Sequence, residues 1–381
     1  MKIVHLCLSC FFIDGYSYQE NILPKYHVKM GHDVTIVASL VSYDKDGHCC
    51  QLKEAKTYND PNGYKVIRLN YRHENKVSKT LRRYKGLQAV LESESPDIIF
   101  LHDISFMDID KVVAYKKQYP RVKLWADGHA DYYNSARSFL SKNLLHKIVW
   151  RRCAQSLLPY VEKIWGTTPW RCVFMHEMYG IPNEKLDFLP MGVDDDAIPA
   201  NREEVRSKIR TELGIQDDEF LIFTGGKIDS KKNIHVLLEA LKSLNNPKIK
   251  VVICGLVTPE MKDTITPLET PNVLMAGWCN AKQVIEYMLA SDMACFPGTH
   301  STLWEQSIGL ALPGIFKKWD NMTHINVCDN VILLENVCVE SIVDALNSIT
   351  NESVYSEFKS AALSASNNFL YSKISSKAIG E

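Results

Sequence analysis

Residues 223–233 read FTGGKIDSKKN. This stretch joins an apolar run typical of a buried strand, Glu219–Thr224, to a helical pattern at Asn233–Leu244 through two glycines and three lysines. Glycines allow a backbone to approach a phosphate closely, and lysines neutralise phosphate charge. The stretch therefore predicts a phosphate-binding loop after the first strand of an α/β domain. A lysine-rich turn that merely faces solvent is the alternative.

Short apolar runs alternate with helical patterns on both sides of this loop. In the first half the expected strands are Met1–Leu8, Asp33–Ala38, Lys65–Asn70, Asp97–His102, Val122–Asp127 and Lys163–Thr167. In the second half they are Glu219–Thr224, Lys250–Cys254, Val273–Ala276, Met293–Phe296, Gly314–Phe316 and Val331–Leu334. The expected helices include Gln19–Met30, Lys79–Ser93, Asn233–Leu244 and Ala281–Ala290. This alternation favours parallel, doubly wound sheets.

The length of 381 residues exceeds the roughly 250–300 at which a single core stops growing. We therefore expect two Rossmann-like domains, residues 1–190 and 191–364, with a hinge near 190–215. Residues 1–190 hold 27 Lys and Arg against 20 Asp and Glu, whereas the remainder holds 17 against 25. A basic first half suggests an anionic partner, such as a phosphorylated acceptor or a membrane surface.

Two further features of composition concern location. No apolar stretch reaches the roughly 18 residues that a membrane-spanning helix needs. The eleven cysteines are scattered, and a single Cys-x-x-Cys at Cys7 and Cys10 lies within a strand-like run. We expect reduced, structural cysteines and a cytoplasmic protein, which could also work at the inner face of the membrane.

The lysine loop resembles the basic loop of retaining GT-B glycosyltransferases, especially glycosyltransferase family 4. Other segments follow in the order of that family: residues 14–21 (DGYSYQEN), 30–37 (MGHDVTIV), 189–194 (LPMGVD) and 275–278 (MAGW). The resemblance implies the GT-B architecture, two Rossmann-like doubly wound domains facing across a cleft. It also implies that a C-terminal helix, at about 365–381, rejoins the first domain.

The family resemblance implies a donor site in the second domain. Lys227 and Lys232, after Gly226, would hold the diphosphate, and Glu305 would hold the ribose. Trp278 would lie against the nucleotide base. The donor sugar would be contacted from Thr299, His300 or Ser301, and backbone N–H groups of Thr302 and Leu303 would cap the diphosphate. The family usually carries a first glutamate eight positions before the second, but Pro297 stands there in this chain.

In the first domain the resemblance implies an acceptor site around the loop Gly15–Asn21. His129, just past the strand Val122–Asp127, resembles an active-site histidine that faces the donor sugar. Asp127 is expected to orient His129, and Asp131 is a further candidate. His102 and Asp103 follow another strand and are expected to point toward the same site. The alternative is that these histidines are structural.

Two aspartate patterns resemble metal ligands, Asp194–Asp196 and the pair Asp108 and Asp110. The first lies in the hinge and the second at a helix start, where acidic side chains favour the helix dipole. We expect no metal and no cofactor. A basic amphipathic stretch from Arg137 to Trp165, and a second basic run at Lys76–Lys85, could rest on an anionic membrane or could be solvated.

The function implied is a retaining transferase of hexosyl type, which moves a sugar from a nucleotide diphosphate, expected to be a UDP sugar, to a glycan or lipid-linked acceptor. Bacterial surface polysaccharide synthesis is the pathway implied, and no nucleic acid is involved. Two alternatives stay open: a GT-B nucleotide-sugar epimerase or hydrolase, and a non-catalytic GT-B-like partner subunit.

Overall fold

The protein is described by a computed structural model that covers residues 1–44 and 48–381. It divides into two α/β units. The first unit comprises Met1–Pro190 together with Ile374–Glu381, and the second comprises Met191–Lys373. Each unit is built on its own predominantly parallel sheet.

The first unit contains an eight-stranded sheet of order β10-β9-β8-β7-β1-β2-β6-β5. Its strands are β1 Lys2–Cys7, β2 Asp33–Ala38, β5 Thr57–Asn59, β6 Lys65–Arg68, β7 Ile98–Leu101, β8 Lys123–Gly128, β9 Val161–Gly166 and β10 Leu186–Phe188, and a separate hairpin pairs β3 Val41–Tyr43 with β4 Cys49–Gln51. All neighbours in the sheet run parallel except β5, which is antiparallel to β6 at the edge. Central strands such as β7 are buried at every position, as expected for a sheet covered on both faces.

Helices connect these strands. They are α1 Gln19–Lys29, α2 Lys76–Leu81, α3 Leu87–Glu94, α4 Ile109–Gln118, α5 Arg151–Leu157 and α6 Pro169–Tyr179, with a π-helical segment at Ser141–Trp150 directly before α5. The chain returns to this unit through α14 Tyr371–Ala378. There the Trp165 ring N–H donates to the carbonyl of Ala378 at 2.9 Å, which ties the C-terminus to β9.

The second unit contains a six-stranded parallel sheet of order β13-β12-β11-β14-β15-β16. Its strands are β11 Phe220–Gly225, β12 Ile249–Cys254, β13 Val273–Gly277, β14 Met293–Phe296, β15 Gly314–Lys317 and β16 Val331–Leu334. The α-helices are α7 Arg202–Leu213, α8 Ile234–Leu244, α9 Lys262–Ile265, α10 Ala281–Ala290, α11 Leu303–Gly309, α12 Val339–Ile349 and α13 Glu352–Ser366. Separate apolar clusters lie on the two faces of this sheet.

The two doubly wound sheets confirm the predicted fold class, but one helical prediction was wrong. The expected helix Lys79–Ser93 is two helices, because Arg82 and Gly86 both adopt left-handed backbone conformations with φ of 53° and 77°. The basic stretch from Arg137 to Trp165 spans several elements. It is π-helical and then α-helical as far as Leu157, and Trp165 lies buried in strand β9.

Two other features bear on the sequence expectations. The eleven cysteines form no disulfide bond in the described parts of the chain. Among residues 1–44 and 48–381, no helix has both the length and the apolar character that crossing a bilayer requires.

Candidate active site

The lysine loop of the second unit lies at the carboxyl end of β11. Gly226 has a φ of 107°, a conformation that favours glycine, and Lys227, which follows it, is exposed. The loop ends at Asn233, whose φ of 52° turns the chain into α8. The amide of Asn233 donates to the carbonyl of Pro297 at 3.0 Å, so the loop is tied to the segment that follows β14.

Lys232 joins these two segments from its side chain. Its Nζ donates to the carbonyl oxygens of Thr299 at 2.8 Å and His300 at 3.1 Å. Gly298 packs against the Lys232 backbone so closely that an added Cβ would clash. Burial lowers the pKa of Lys232, and within the described chain no carboxylate forms an ion pair with its ammonium group. The site thus holds a partly buried cation, and the nearby Asp229 carboxylate acts to raise the pKa of Lys232 without forming an ion pair.

Glu305 in α11 is fully buried and is held by two histidines. Its Oε1 accepts from His300 Nε2 at 2.7 Å and from His324 Nε2 at 2.8 Å. Burial raises the pKa of Glu305, but the two imidazoles outweigh burial and hold the pKa at about 2. Its second oxygen, Oε2, has no hydrogen-bond donor among the residues described. An ionised, buried acceptor with one unsatisfied oxygen is poised to receive a hydroxyl group.

The other residues predicted for the donor site lie on the segment that leads into α11 and at the end of β13. Ser301 Oγ accepts from the Leu303 N–H at 3.3 Å, so that N–H group is already engaged, whereas Thr302 precedes α11 as its N-cap. Trp278 follows Gly277 at the end of β13, and 71% of its surface is exposed. His300, predicted to contact the sugar, lies with its Nε2 2.7 Å from Glu305 Oε1.

In the first unit, Asp127 occupies the end of β8 and is fully buried. Its Oδ1 accepts from the Asp103 N–H at 2.8 Å, and its Oδ2 lies 3.1 Å from His102 Nδ1 and 3.3 Å from the amide of Gln19. Burial raises the pKa of Asp127, but His129 and His102 together lower it well below the usual range. This downward shift keeps Asp127 a carboxylate at neutral pH.

His129 follows β8 and is partly exposed at its side chain. Its Nε2 lies 3.2 Å from Asp127 Oδ1 and 3.9 Å from Glu20 Oε1, both ion-pair distances, although the contact with Asp127 lacks hydrogen-bond alignment. Burial lowers the pKa of His129, but the carboxylates of Asp127 and Glu20 raise it by more than burial lowers it, so the net shift of the pKa is upward. The Met175 side chain packs against Gly128 and leaves no room for a Cβ there.

Other predicted residues have local structural roles. Asp131 accepts from the backbone of Tyr133 and Asn134 and contacts Arg171, and Asp108 accepts from the Tyr84 N–H and from Lys111. Asp194 accepts from the Asp196 N–H. Gly15 turns an exposed loop with a φ of 78°.

Two trios of side chains have ligand atoms within 4.8 Å of one another: His102, Asp127 and His129, and His300, Glu305 and His324. Tetrahedral ligands bound at 2.0–2.1 Å lie about 3.3 Å apart. The nitrogen–oxygen distances of 2.7 and 2.8 Å at Glu305 are those of hydrogen bonds. We therefore assign the trio at Glu305 as a hydrogen-bonded cluster.

The sequence reasoning missed His324, which contacts Glu305, and it missed His5 and His27, which are hydrogen-bonded in series to His102. His324 lies 19 residues after Glu305, in a segment without a recognisable motif. His5 interrupts the apolar run of β1, and a polar residue inside a buried strand is the signal that could have found it.

Two α/β units with parallel sheets, and a glycine–lysine loop at the carboxyl end of β11, define the GT-B class. A sequence model of Glycosyltransferase Family 4 matches residues 23–197, and one of Glycosyl transferases group 1 matches residues 205–312. These matches identify the chain as a member of the GT-B glycosyltransferases and confirm its resemblance to family 4.

Individual proteins agree with this assignment. Over 126 residues the chain is 26% identical to the alpha-galactosylglucosyldiacylglycerol synthase of Streptococcus pneumoniae, a match that spans 31% of this chain and 33% of that enzyme. A glycosyltransferase from Rickettsia africae has the same fold, with a TM-score of 0.69 and 15% identity over 99% of this chain and 96% of its own. The Anabaena protein HepE in complex with UDP-glucose gives a TM-score of 0.63 and 15% identity over 99% and 98% of the two chains.

Proposed function

We propose that this chain is a retaining hexosyltransferase. It transfers a sugar from a nucleotide diphosphate donor, a UDP sugar, to a glycan or lipid-linked acceptor in bacterial surface polysaccharide synthesis. The family matches support the transferase class, and the UDP-glucose bound to the HepE structure supports the choice of nucleotide.

The observation that carries the proposal is the arrangement around Lys232. Its partly buried ammonium group, the exposed Lys227 and the glycine backbone at Gly226 lie on one loop. A diphosphate supplies negative charge to a loop that carries three lysines and one aspartate, and lysines bind phosphate as compact point charges. The unsatisfied Oε2 of Glu305, on the segment that Lys232 contacts, suits a ribose hydroxyl.

The chemistry follows from where charge develops. When the bond between the sugar and the diphosphate breaks, negative charge grows on the leaving phosphate, and Lys227 and Lys232 stabilise it electrostatically. In a retaining reaction without a covalent intermediate, the acceptor attacks from the face that the diphosphate leaves, and the leaving phosphate takes the acceptor proton. His129, oriented by Asp127, contacts the sugar in this proposal.

The π-helical segment supports an acceptor held at a lipid surface. Leu140, Leu144 and Ile148 recur every four residues and are all more than half exposed. Residues 132–161 contain no Asp or Glu, and they include the basic residues Arg137, Lys142, Lys147, Arg151 and Arg152. An apolar stripe flanked by basic side chains suits an anionic membrane surface.

The test is turnover of sugar nucleotides by the purified full chain, with and without lipid extracts that contain glycolipid acceptors. We expect UDP release that depends on the acceptor, and a product with the anomeric configuration of the donor, read by NMR. UDP release without acceptor dependence would indicate a hydrolase, and an isomerised sugar nucleotide an epimerase. The absence of turnover with UDP, GDP and ADP sugars would indicate a non-catalytic subunit. Each of these three results would overturn the proposal.

A further inference from the structure

A chain of hydrogen-bonded imidazole rings runs through the first unit from α14 to Asp127. His27 Nε2 lies 2.9 Å from the carbonyl oxygen of Ser375, and His27 Nδ1 lies 3.0 Å from His5 Nε2. His5 Nδ1 in turn lies 2.9 Å from His102 Nε2, and His102 Nδ1 lies 3.1 Å from Asp127 Oδ2. All three rings are completely buried. Both nitrogens of every ring are therefore in hydrogen-bond contact within the protein.

The two ends of the histidine chain fix the number of N–H protons that the three rings carry. The Ser375 carbonyl and the Asp127 carboxylate are oxygens that can only accept. Four hydrogen bonds connect the three rings to each other and to these oxygens, and each bond needs one N–H. Three neutral imidazoles carry only three N–H groups. A complete chain therefore contains a fourth proton and one positive charge.

Bond direction alone would allow that charge on any of the three rings, and the Asp127 carboxylate, 3.1 Å from His102 Nδ1, places it on His102. His27 donates from Nε2 to the carbonyl, so a neutral His27 accepts at Nδ1 and His5 must donate from Nε2. A neutral His5 then accepts at Nδ1 from His102 Nε2. His102 also faces Asp127 from Nδ1, so both of its nitrogens carry protons.

The surroundings agree with this assignment. Burial lowers the pKa of His5, and it lowers the pKa of His27 to about 4, so these two rings are neutral. Burial also opposes a charge on His102, but Cys7 and the Asp127 carboxylate outweigh burial and raise its pKa to about 9. The titratable groups around His102 are Cys7 and His5 from β1, Glu20 and His27 from α1, and Asp127 and His129 from β8 and the turn that follows it.

We propose that His102 is a buried imidazolium whose charge is fixed by the histidine chain to Ser375, and that it serves as a positioning residue for Asp127 and His129. A buried carboxylate is retained as an anion only when it is paired, and His102 supplies that pairing at Oδ2. Oδ1 of Asp127 then remains ionised at an ion-pair distance of 3.2 Å from His129 Nε2. The part of the inference that concerns His129 rests on the proposed function, whereas the charge on His102 does not.

The first test is the protonation state of His102 in the full chain. NMR of protein with 15N-labelled histidine distinguishes imidazolium from either neutral tautomer, and a His102→Gln variant assigns the signal. At pH 7.5 we expect His102 to carry two N–H protons, and His5 and His27 to be neutral with the proton on Nε2. A neutral His102 at this pH would overturn the proposal.

The second test uses a matched pair of substitutions at His27. His27→Phe removes the donor to Ser375, so two neutral rings then satisfy the shortened chain and the pKa of His102 should fall by about one unit or more. His27→Gln keeps one donor and one acceptor and should leave the pKa of His102 within about half a unit of the wild-type value. Equal His102 pKa values in the wild type and His27→Phe would show that the histidine chain to Ser375 does not fix the charge on His102.

Activity provides a separate readout. If the protein transfers sugar, the alkaline limb of its pH–rate profile should lie at lower pH in His27→Phe than in the wild type, because His102 loses its charge at lower pH in that variant. In His27→Gln the alkaline limb should lie at the wild-type pH. A doubly protonated His102 in a protein without turnover would refute the proposed function alone. Turnover with a neutral His102, or with an unmoved alkaline limb in His27→Phe, would refute this inference alone.

Discussion

Single residues of both units owe their behaviour to partners that are distant in sequence. Glu305 is an ionised carboxylate in a fully buried position only because His300 and His324 converge on one of its oxygens. Asp127 likewise keeps its charge beside His102 and His129. In each case a carboxylate that burial would otherwise neutralise is preserved as an acceptor in the place where the proposed chemistry needs one.

The first prediction is that the free energy of unfolding depends on pH because the pKa of Glu305 differs between the folded and unfolded states. Its pKa of about 2 in the folded protein lies below the value of about 4.3 in an unfolded chain. Ionised Glu305 therefore stabilises the fold above about pH 4.3, and this contribution, on the order of 3 kcal/mol, is lost as the pH falls toward 2. Urea unfolding of the wild type and Glu305→Gln should show a difference in unfolding free energy that shrinks by that amount between pH 5 and pH 2. A difference that stays constant over this range would show that Glu305 has an ordinary pKa.

Some site residues could be predicted from the sequence and others could not, for a physical reason. Lys227, Lys232 and Glu305 could be proposed because each lies in a segment that resembles a motif of the glycosyltransferase family. His324 and His27 could not, because each reaches its cluster from a different part of the chain and carries no local pattern. A side chain's partners depend on tertiary packing, and spacing in the sequence does not encode that.

At the scale of elements, the π-helical segment has two contrasting sides. His146 and Trp150 are buried, and the ring of His146 hydrogen-bonds the Tyr179 hydroxyl at 2.8 Å. The opposite side carries the exposed apolar stripe and the basic residues. Since π-helical turns are rare and cluster at functional sites, this segment is the element that we expect to meet the membrane.

The second prediction follows from that expectation. Reversing two charges, as in Lys142→Glu with Lys147→Glu, should weaken binding to vesicles containing anionic phosphatidylglycerol at least about 30-fold, because each basic residue near such a surface contributes about 1 kcal/mol. Sedimentation with vesicles at physiological salt measures this. The control reverses two exposed lysines of the second unit, Lys242→Glu with Lys262→Glu, and should bind like the wild type. Equal losses in both double variants would point to net charge alone and against this segment.

The elements themselves were predicted with different success. Strands such as β7 and β11 were identifiable because continuous apolar runs between polar segments are typical of buried parallel strands. The short edge strand β5 and the hairpin of β3 and β4 were missed, since half-exposed strands of three residues carry little apolar signal. The break between α2 and α3 depends on left-handed backbone at Arg82, which no local composition announces.

At the scale of the whole molecule, the C-terminal residues complete the first unit. Ile374 and Ile379 are almost fully buried, and the carbonyls of Ser375 and Ala378 accept from His27 and Trp165.

The third prediction is that a chain ending at Lys373 loses several kcal/mol of stability in the first unit, since each buried isoleucine contributes about 1.5–3 kcal/mol. Urea unfolding followed by tryptophan fluorescence measures the loss. Removal of Glu381 alone is the control and should change the midpoint little; equal midpoints for the wild type and the chain ending at Lys373 would contradict the prediction.

The most direct measurement of the central claim is the affinity for UDP by titration calorimetry, compared among the wild type, Lys232→Ala and Lys231→Ala. Charge-assisted hydrogen bonds contribute about 1.5–3 kcal/mol, so Lys232→Ala should weaken binding about 10- to 100-fold. Lys231→Ala, which removes an exposed neighbouring lysine, should bind within about two-fold of the wild type. We expect this contrast between two variants that both fold. Wild-type protein that does not bind UDP, or a folded Lys232→Ala variant that binds it as tightly as the wild type, would show that Lys232 does not hold the diphosphate.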